Sequence, residues 1–276
     1  MLRQRAISAA IFVPPLLVCV LLGQPWIAIV VLLATIVGSV ETFRLLRSAG
    51  YPALPVLGSL LTLALVVEAA APDQLAGSGM LLAGAGLAVV AVGSFGRPDP
   101  AVGLATWMAT SFGAFYAAGL GFVLRLGHAV PALPGHAALA GLGSERAWIL
   151  LLVFAVWAYD TGAYLAGRSL GRRRFLTHLS ASKTWEGLVG GLLAATVVVA
   201  VMLWGVGQPP ALALILGPLL GLAAQAGDLA ESMLKRAAGA KDSGTLIPGH
   251  GGMLDRIDSF LLAAPVATIF VIGLVR

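Results

Sequence analysis

Apolar residues run through this chain in long stretches separated by short polar interruptions, without the strict alternation of a half-buried strand. Nine such runs can be marked, at residues 6–23, 26–43, 53–71, 80–95, 102–123, 147–167, 184–204, 211–226 and 260–275. Their lengths are close to the roughly 17 to 25 residues an α-helix needs to cross a bilayer, whereas barrel strands would alternate polarity over about ten. The pattern predicts an all-α, polytopic integral membrane protein with nine transmembrane helices. The first run follows Arg3 and Arg5, as the apolar core of a signal peptide would. No small-residue cleavage site follows it, and Gln24-Pro25 leads straight into the next run, so it is read as a retained helix.

Composition places the chain outside the soluble range. Hydrophobic residues make up 59% and charged residues 11%, with a mean hydropathy of +0.97, against roughly half and a quarter in soluble domains. The one cysteine, Cys19, lies within an apolar run, which excludes a disulfide framework and a Cys-rich zinc site. A net charge of +5 raises the question of nucleic acid, but in a membrane protein basic residues report orientation first, and no nucleic-acid partner is expected. With the N-terminus inside, the inner segments hold fourteen of the seventeen Lys and Arg, and the outer ones hold only Arg125, Arg146 and Arg276. That bias predicts a cytoplasmic N-terminus in the cell (inner) membrane.

Most of the outer segments and the first half offer little chemistry. His128 and His136 fall in an expected outer loop at 125–146 among Pro, Gly and Ala, as solvated loop residues. Glu41, three residues before Arg44, reads as half of an interfacial helix pair, and Glu68 as a residue near the outer end of the third span. Residues 1–145 are therefore expected to be scaffold and 146–276 a catalytic region whose active site faces the cytoplasm.

Three polar clusters interrupt the second half, all at the expected inner face. The first is Asp160-Thr161-Gly162-Ala163-Tyr164 followed by GRSLGRRR. Asp160 is either a carboxylate paired with Arg168 or a functional acid, because an intramembrane acid is costly. Arg172, Arg173 and Arg174 serve topology or attract an anionic headgroup. The second cluster, Ser180-Ala181-Ser182-Lys183-Thr184-Trp185-Glu186-Gly187, opens the seventh span with hydroxyls, a lysine and free backbone N–H groups, which is a phosphate site or a plain helix cap. Glu186 there is a first-turn acid or a cation ligand. In the third, at 227–259, Asp228, Glu231 and Lys235 are spaced i, i+3, i+7 along one side of a helix. SGTLIPGHGG then supplies glycines that let backbone N–H groups turn to an anion, and Asp255 and Asp258 share a helical face. Carboxylates without cysteine suit Mg²⁺, bound together with substrate phosphates.

The string SMLKRAAGAKDSGTLIPGHGGMLDRIDS at 232–259, with Gly227-Asp228-Leu229-Ala230-Glu231 before it, closely resembles the signature of the phosphatidate cytidylyltransferase (CDP-diacylglycerol synthase) family. The stretches 160–171 and 180–187 are similar to that family's as well, with one departure at Ala181, where the family usually has proline. The resemblance implies the reaction CTP + phosphatidate → CDP-diacylglycerol + diphosphate, with CTP and membrane phosphatidate as partners and a homodimer left open. It implies Asp228 and Asp255 as Mg²⁺ ligands, Asp258 as ligand or neighbour to one, and a dinuclear site for which K⁺ is a candidate second cation. Lys235, Arg236, Lys241, His250 and Arg256 become candidate phosphate contacts, with Asp242 beside them and Gly251 and Gly252 allowing close backbone approach. Ser180, Lys183 and Thr184 are expected to touch nucleotide or lipid phosphate. Two other classes fit less well. A secondary transporter would place its charges near the bilayer midplane, and a CTP-dependent lipid kinase of the dolichol kinase type would release CDP.

Overall fold

The computed structural model of the protein describes residues 13–71, 78–246 and 251–275. Within them the chain is helical, with no strand beyond an isolated bridge between Arg174 and Thr184. The helices are α1 (Val13–Leu22), α2 (Trp26–Ser48), α3 (Pro55–Ala70), α4 (Gly79–Ser94), α5 (Pro100–Ala118), α6 (Phe122–Ala129), α7 (Ser144–Leu170), α8 (Trp185–Gly205), α9 (Ala213–Ala237) and α10 (Leu254–Phe270). Among the described residues, six segments are long and apolar enough to cross a membrane: α2, α5 through α6, α7, α8, α9 with the turn before it, and α10 with the turn after it. Helices α1, α3 and α4 are apolar but shorter. The 16 residues of α3 and of α4 each rise about 24 Å, less than a hydrocarbon core of about 30 Å. The structure is thus that of an all-α integral membrane protein.

Two helix ends depart from the apolar runs. The long loop expected from Arg125 begins only after Ala129, because a 3₁₀ turn at Gly119–Gly121 joins α5 to α6. Arg125 is consequently a helical residue, and its guanidinium pairs with the buried carboxylate of Glu68. Helix α9 continues past the end of its apolar run to Ala237, so its last turns carry Asp228, Glu231, Lys235 and Arg236.

The chain divides into two compact units. The first comprises the described residues of Met1–Cys19, Gln24–Arg125 and Met233–Ile257. Its core is α2, α3 and α5 in mutual contact, with α4 against α3 and α5. Phe43 of α2 is 1% exposed, and its ring lies against Gly58 of α3 and Gly113 of α5. A Cβ on Gly113 would stand 2.7 Å from that ring, so the small residues are what let the three helices close. Thr62 Oγ1 donates to the carbonyl of Ala114 at 3.1 Å across the same seam.

The second unit comprises Val20–Gly23, Leu126–Ser232 and the described residues of Asp258–Arg276. Helices α7 and α8 pack closely along their length. A Cβ on Gly162 would meet the carbonyl oxygen of Gly190 at 2.9 Å, and one on Gly187 that of Ala163 at 2.9 Å. Tyr159 of α7 is buried and donates to Gln225 Oε1 of α9 at 2.7 Å, which ties the third helix to the pair.

Candidate active site

In the second unit, the acids of α9 and α10 meet because one residue has no side chain. Gly227 passes so close to α10 that a Cβ there would stand 3.0 Å from the carbonyl carbon of Asp258 and from Ser259 Cα. The next residue, Asp228, is therefore held beside Asp258, and Glu231 follows one turn later on α9. Asp228, Glu231 and Asp258 each present a carboxylate oxygen, all within 4.8 Å of one another. Glu231 is fully buried and the other two are half-buried.

A cation stands beside this cluster. Lys183 forms an ion pair with Asp228. Its place is fixed by the α7–α8 loop, which folds back on itself through Phe175 N–H donating to the Lys183 carbonyl at 3.2 Å and Trp185 N–H to the Arg173 carbonyl at 2.9 Å. The rings of Phe175 and Trp185 pack at 5.0 Å between centroids. Thr184 caps α8, its Oγ1 accepting from Gly187 N–H at 3.1 Å. Glu186 accepts from the backbone N–H of Arg172 at 3.1 Å and of Arg173 at 3.2 Å. Its carboxylate thus staples the loop, leaving Arg172, Arg173 and Arg174 exposed. Ser180 is half-buried in the turn of the same loop, its N–H on the Leu176 carbonyl. Asp160 is exposed on α7, while Arg168, its partner on the plainer expectation, donates to the Tyr164 hydroxyl at 2.8 Å.

The first unit holds a second polar network, centred on Asp255 at the start of α10. Its Oδ1 accepts from Lys235 Nζ at 2.6 Å, and its Oδ2 accepts from the N–H of Ser243 and of Gly252, each at 2.8 Å. The Ser243 hydroxyl lies 2.8 Å from the same oxygen and 2.9 Å from Glu41 Oε2. Glu41, 4% exposed, also accepts from the N–H of Met253 at 3.1 Å and of Leu254 at 2.8 Å. The expected interfacial pair of Glu41 with Arg44 is therefore replaced by a buried cap on α10. Both carboxylates are consumed in holding Ser243 and the Gly252–Leu254 start of α10. Gly251, with φ +77°, and Gly252 approach these carboxylates closely, Gly252 lacking any room for a Cβ beside Glu41 and Ser243. Arg236, Lys241, Asp242 and Arg256 are exposed, and His250 lies outside the described residues.

Against known proteins, the sequence model described as "Cytidylyltransferase family" matches residues 3–273. The chain belongs to the cytidylyltransferase family. It is 34% identical over 287 residues to the phosphatidate cytidylyltransferase of Synechocystis sp., covering 98% of this chain and 96% of that one. To the phosphatidate cytidylyltransferase of Mycobacterium bovis it is 33% identical over 280 residues, 96% of this chain and 86% of the relative. The phosphatidate cytidylyltransferase of Brucella suis matches more strongly but locally, 46% identical over 130 residues, 44% of this chain and 46% of that one.

For a cytidylyltransferase, the donor set has the right chemistry. Three hard carboxylate oxygens at mutual distances within 4.8 Å fit a Mg²⁺ ion that completes its shell with water and phosphate oxygens. Of the acids that the family resemblance names for Mg²⁺, Asp228 and Asp258 lie in this cluster. Glu231 was left out of the expected ligand set, although its i, i+3 offset from Asp228 was the available signal. Asp255, expected as a ligand, has its carboxylate oxygens engaged by Lys235, Ser243 and Gly252 in the first unit. Glu41 and Ser243 were missed as parts of any site.

Proposed function

We propose that the chain is a phosphatidate cytidylyltransferase, catalysing CTP + phosphatidate → CDP-diacylglycerol + diphosphate in phospholipid biosynthesis. The observation that carries the proposal is the cluster of Asp228, Glu231 and Asp258, in a chain whose family match runs over nearly its whole length. Those three carboxylates would hold Mg²⁺, which when bound supplies neutralisation of triphosphate charge and alignment of the α-phosphorus.

The nucleophile is a phosphate monoester whose second pKa is about 6, so it is already largely ionised near neutral pH and needs no general base. This accords with a site built from acids, cations and glycines. An oxygen of the phosphatidate phosphate attacks the α-phosphorus of CTP, the bond from that phosphorus to the bridging oxygen of the β-phosphate breaks, and diphosphate leaves with the electron pair. The remaining obstacle is repulsion between two anions, which basic side chains reduce by positioning and screening.

Lys183, ion-paired with Asp228 at the edge of the acid cluster, is assigned as a phosphate contact. Lys235, Arg236, Lys241, His250 and Arg256 are assigned as phosphate contacts, with Asp255 holding Lys235 in position. Thr184 and Glu186 act through the loop that carries Lys183, and Ser180 and Asp160 are assigned to substrate contact. The sequence bias of basic residues supports nine spans, a cytoplasmic N-terminus and a cytoplasm-facing site in the inner membrane.

The test is the identity of the leaving group. Purified protein given CTP, phosphatidate and Mg²⁺ is expected to release diphosphate and to form CDP-diacylglycerol detectable by mass spectrometry. Release of CDP with a phosphorylated lipid product would assign the chain to CTP-dependent lipid kinases and overturn the proposal.

A further inference from the structure

Within the first unit, α2 and α3 enclose an open groove of about 820 Å³ that none of the chemistry above uses. Its walls are apolar and accessible, Ile36 and Val40 on α2 being 44% and 47% exposed and Val56 and Leu60 on α3 76% and 58%. Its floor is narrow because small residues meet there: Ser39 Oγ lies 3.2 Å from Ser59 Oγ and donates to the Ile36 carbonyl at 2.9 Å. The groove therefore presents satisfied polar atoms and apolar surface. At one end it is closed by Arg44 and Arg47, both exposed and both lining the groove. Neither guanidinium has an acidic partner among the described residues.

The dimensions decide between a small ligand and a lipid chain. From Ile36 to Arg47 the helix rises about 16 Å at 1.5 Å per residue, which is the depth of one leaflet of a hydrocarbon core about 30 Å thick. With α2 spanning the bilayer, a charge pair at the end of an apolar groove about one leaflet long would lie at the level of a lipid phosphate. Arginine pairs of this kind favour phosphate over a zwitterionic surface.

We propose that this groove is a binding site for an anionic phospholipid of the bilayer, a phosphodiester lipid rather than the substrate. One acyl chain lies between Val40 and Leu60, and the phosphate is held by Arg44 and Arg47. The inference rests on the membrane assignment alone and is independent of the reaction proposed above. It gives α2 two jobs: the groove occupies one side of the helix, while Glu41 on another side caps the start of α10.

The probe is phosphatidylglycerol, with phosphatidylcholine as the zwitterionic control. Full-length protein, delipidated in neutral detergent, is titrated with each lipid and the retained lipid is counted by native mass spectrometry. The wild type is expected to retain one phosphatidylglycerol in preference to phosphatidylcholine by about tenfold or more, and the double variant Arg44→Gln/Arg47→Gln to lose that preference. Arg44→Lys/Arg47→Lys, which keeps the charge, should retain most of it, and Val56→Trp should weaken both lipids by filling the groove. Equal phosphatidylglycerol retention by the wild type and the Gln double variant would overturn the proposal. So would retention of phosphatidate without phosphatidylglycerol; loss of that phosphatidate in the Gln double variant would then make the groove a substrate site. A fall in oligomeric state on Val56→Trp, with no lipid bound to the wild type, would likewise overturn it and make the face a contact between copies of the chain.

Discussion

The Lys183 ammonium is ion-paired with the Asp228 carboxylate, joining the residue before the cap of α8 to α9. Both side chains are 25% exposed, and a partly exposed pair contributes only about 1 kcal/mol or less to stability. The pair therefore matters more for the charge it keeps beside the acids than for holding the helices. Lys183→Ala is expected to lower diphosphate release by about 10 to 100-fold, the range of substitutions around metal sites. Its melting temperature should stay within about 4 °C of wild type, the shift about 1 kcal/mol produces in a chain of this size. A variant that loses activity only in proportion to lost folded protein would make Lys183 structural.

Topology follows from charge and can be checked without activity. Single cysteines at Ala132 and Gly135, in the segment before α7, should react with an impermeant thiol reagent from outside the cell. A cysteine at Ala181 in the α7–α8 loop should react only after permeabilisation, because α7 is long and apolar enough to separate the two segments. Labelling of both from one side would remove α7 as a span between them, and labelling of Ala181 alone from outside would reverse the proposed cytoplasmic site.

Glu41 carries a prediction about a loop far from it in sequence. Its carboxylate accepts from the N–H groups of Met253 and Leu254, so Glu41→Ala leaves both donors without that partner at roughly 1 to 3 kcal/mol each. The variant should melt lower, and the amides of Met253 and Leu254 should exchange hydrogen faster. If exchange and melting match wild type, Glu41 does not cap α10.

What could be read from the sequence and what could not divide along a physical line. The all-helical character, the membrane class and the concentration of charge that contains Asp228 and Asp258 were legible because each depends on local spacing or on charge in an apolar background. Glu41 was misread as a partner of Arg44 because i, i+3 spacing is visible in sequence, whereas its true donors lie more than two hundred residues away. Arg125 was placed in a loop for a related reason: Glu68, which pairs with it, is 57 residues earlier. Asp255 and Asp258 share a helix and look equivalent as a sequence pair. Only tertiary contacts distinguish a carboxylate surrounded by four donor groups from one grouped with two other acids.

That difference yields the sharpest test. Asp255→Asn places an amide where one oxygen met Lys235 and the other met two N–H groups and a hydroxyl, so whichever way the amide turns, a donor faces a donor. Loss of charge-assisted hydrogen bonds, each about 1.5 to 3 kcal/mol, should lower both melting temperature and turnover, and added Mg²⁺ should restore neither. Asp258→Asn instead removes one of three acids from the Asp228 cluster while keeping its size. It should leave the melt nearly unchanged, raise the Mg²⁺ concentration needed for half-maximal diphosphate release by at least about tenfold, and recover part of its rate at high Mg²⁺. Both variants are measured as purified protein in detergent with CTP and phosphatidate across a Mg²⁺ titration, each beside a thermal melt. Mg²⁺ rescue of Asp255→Asn with an unchanged melt would return that residue to the metal and remove it from the positioning of Lys235. An unaltered Mg²⁺ requirement in Asp258→Asn would remove Asp258 from the ligand set.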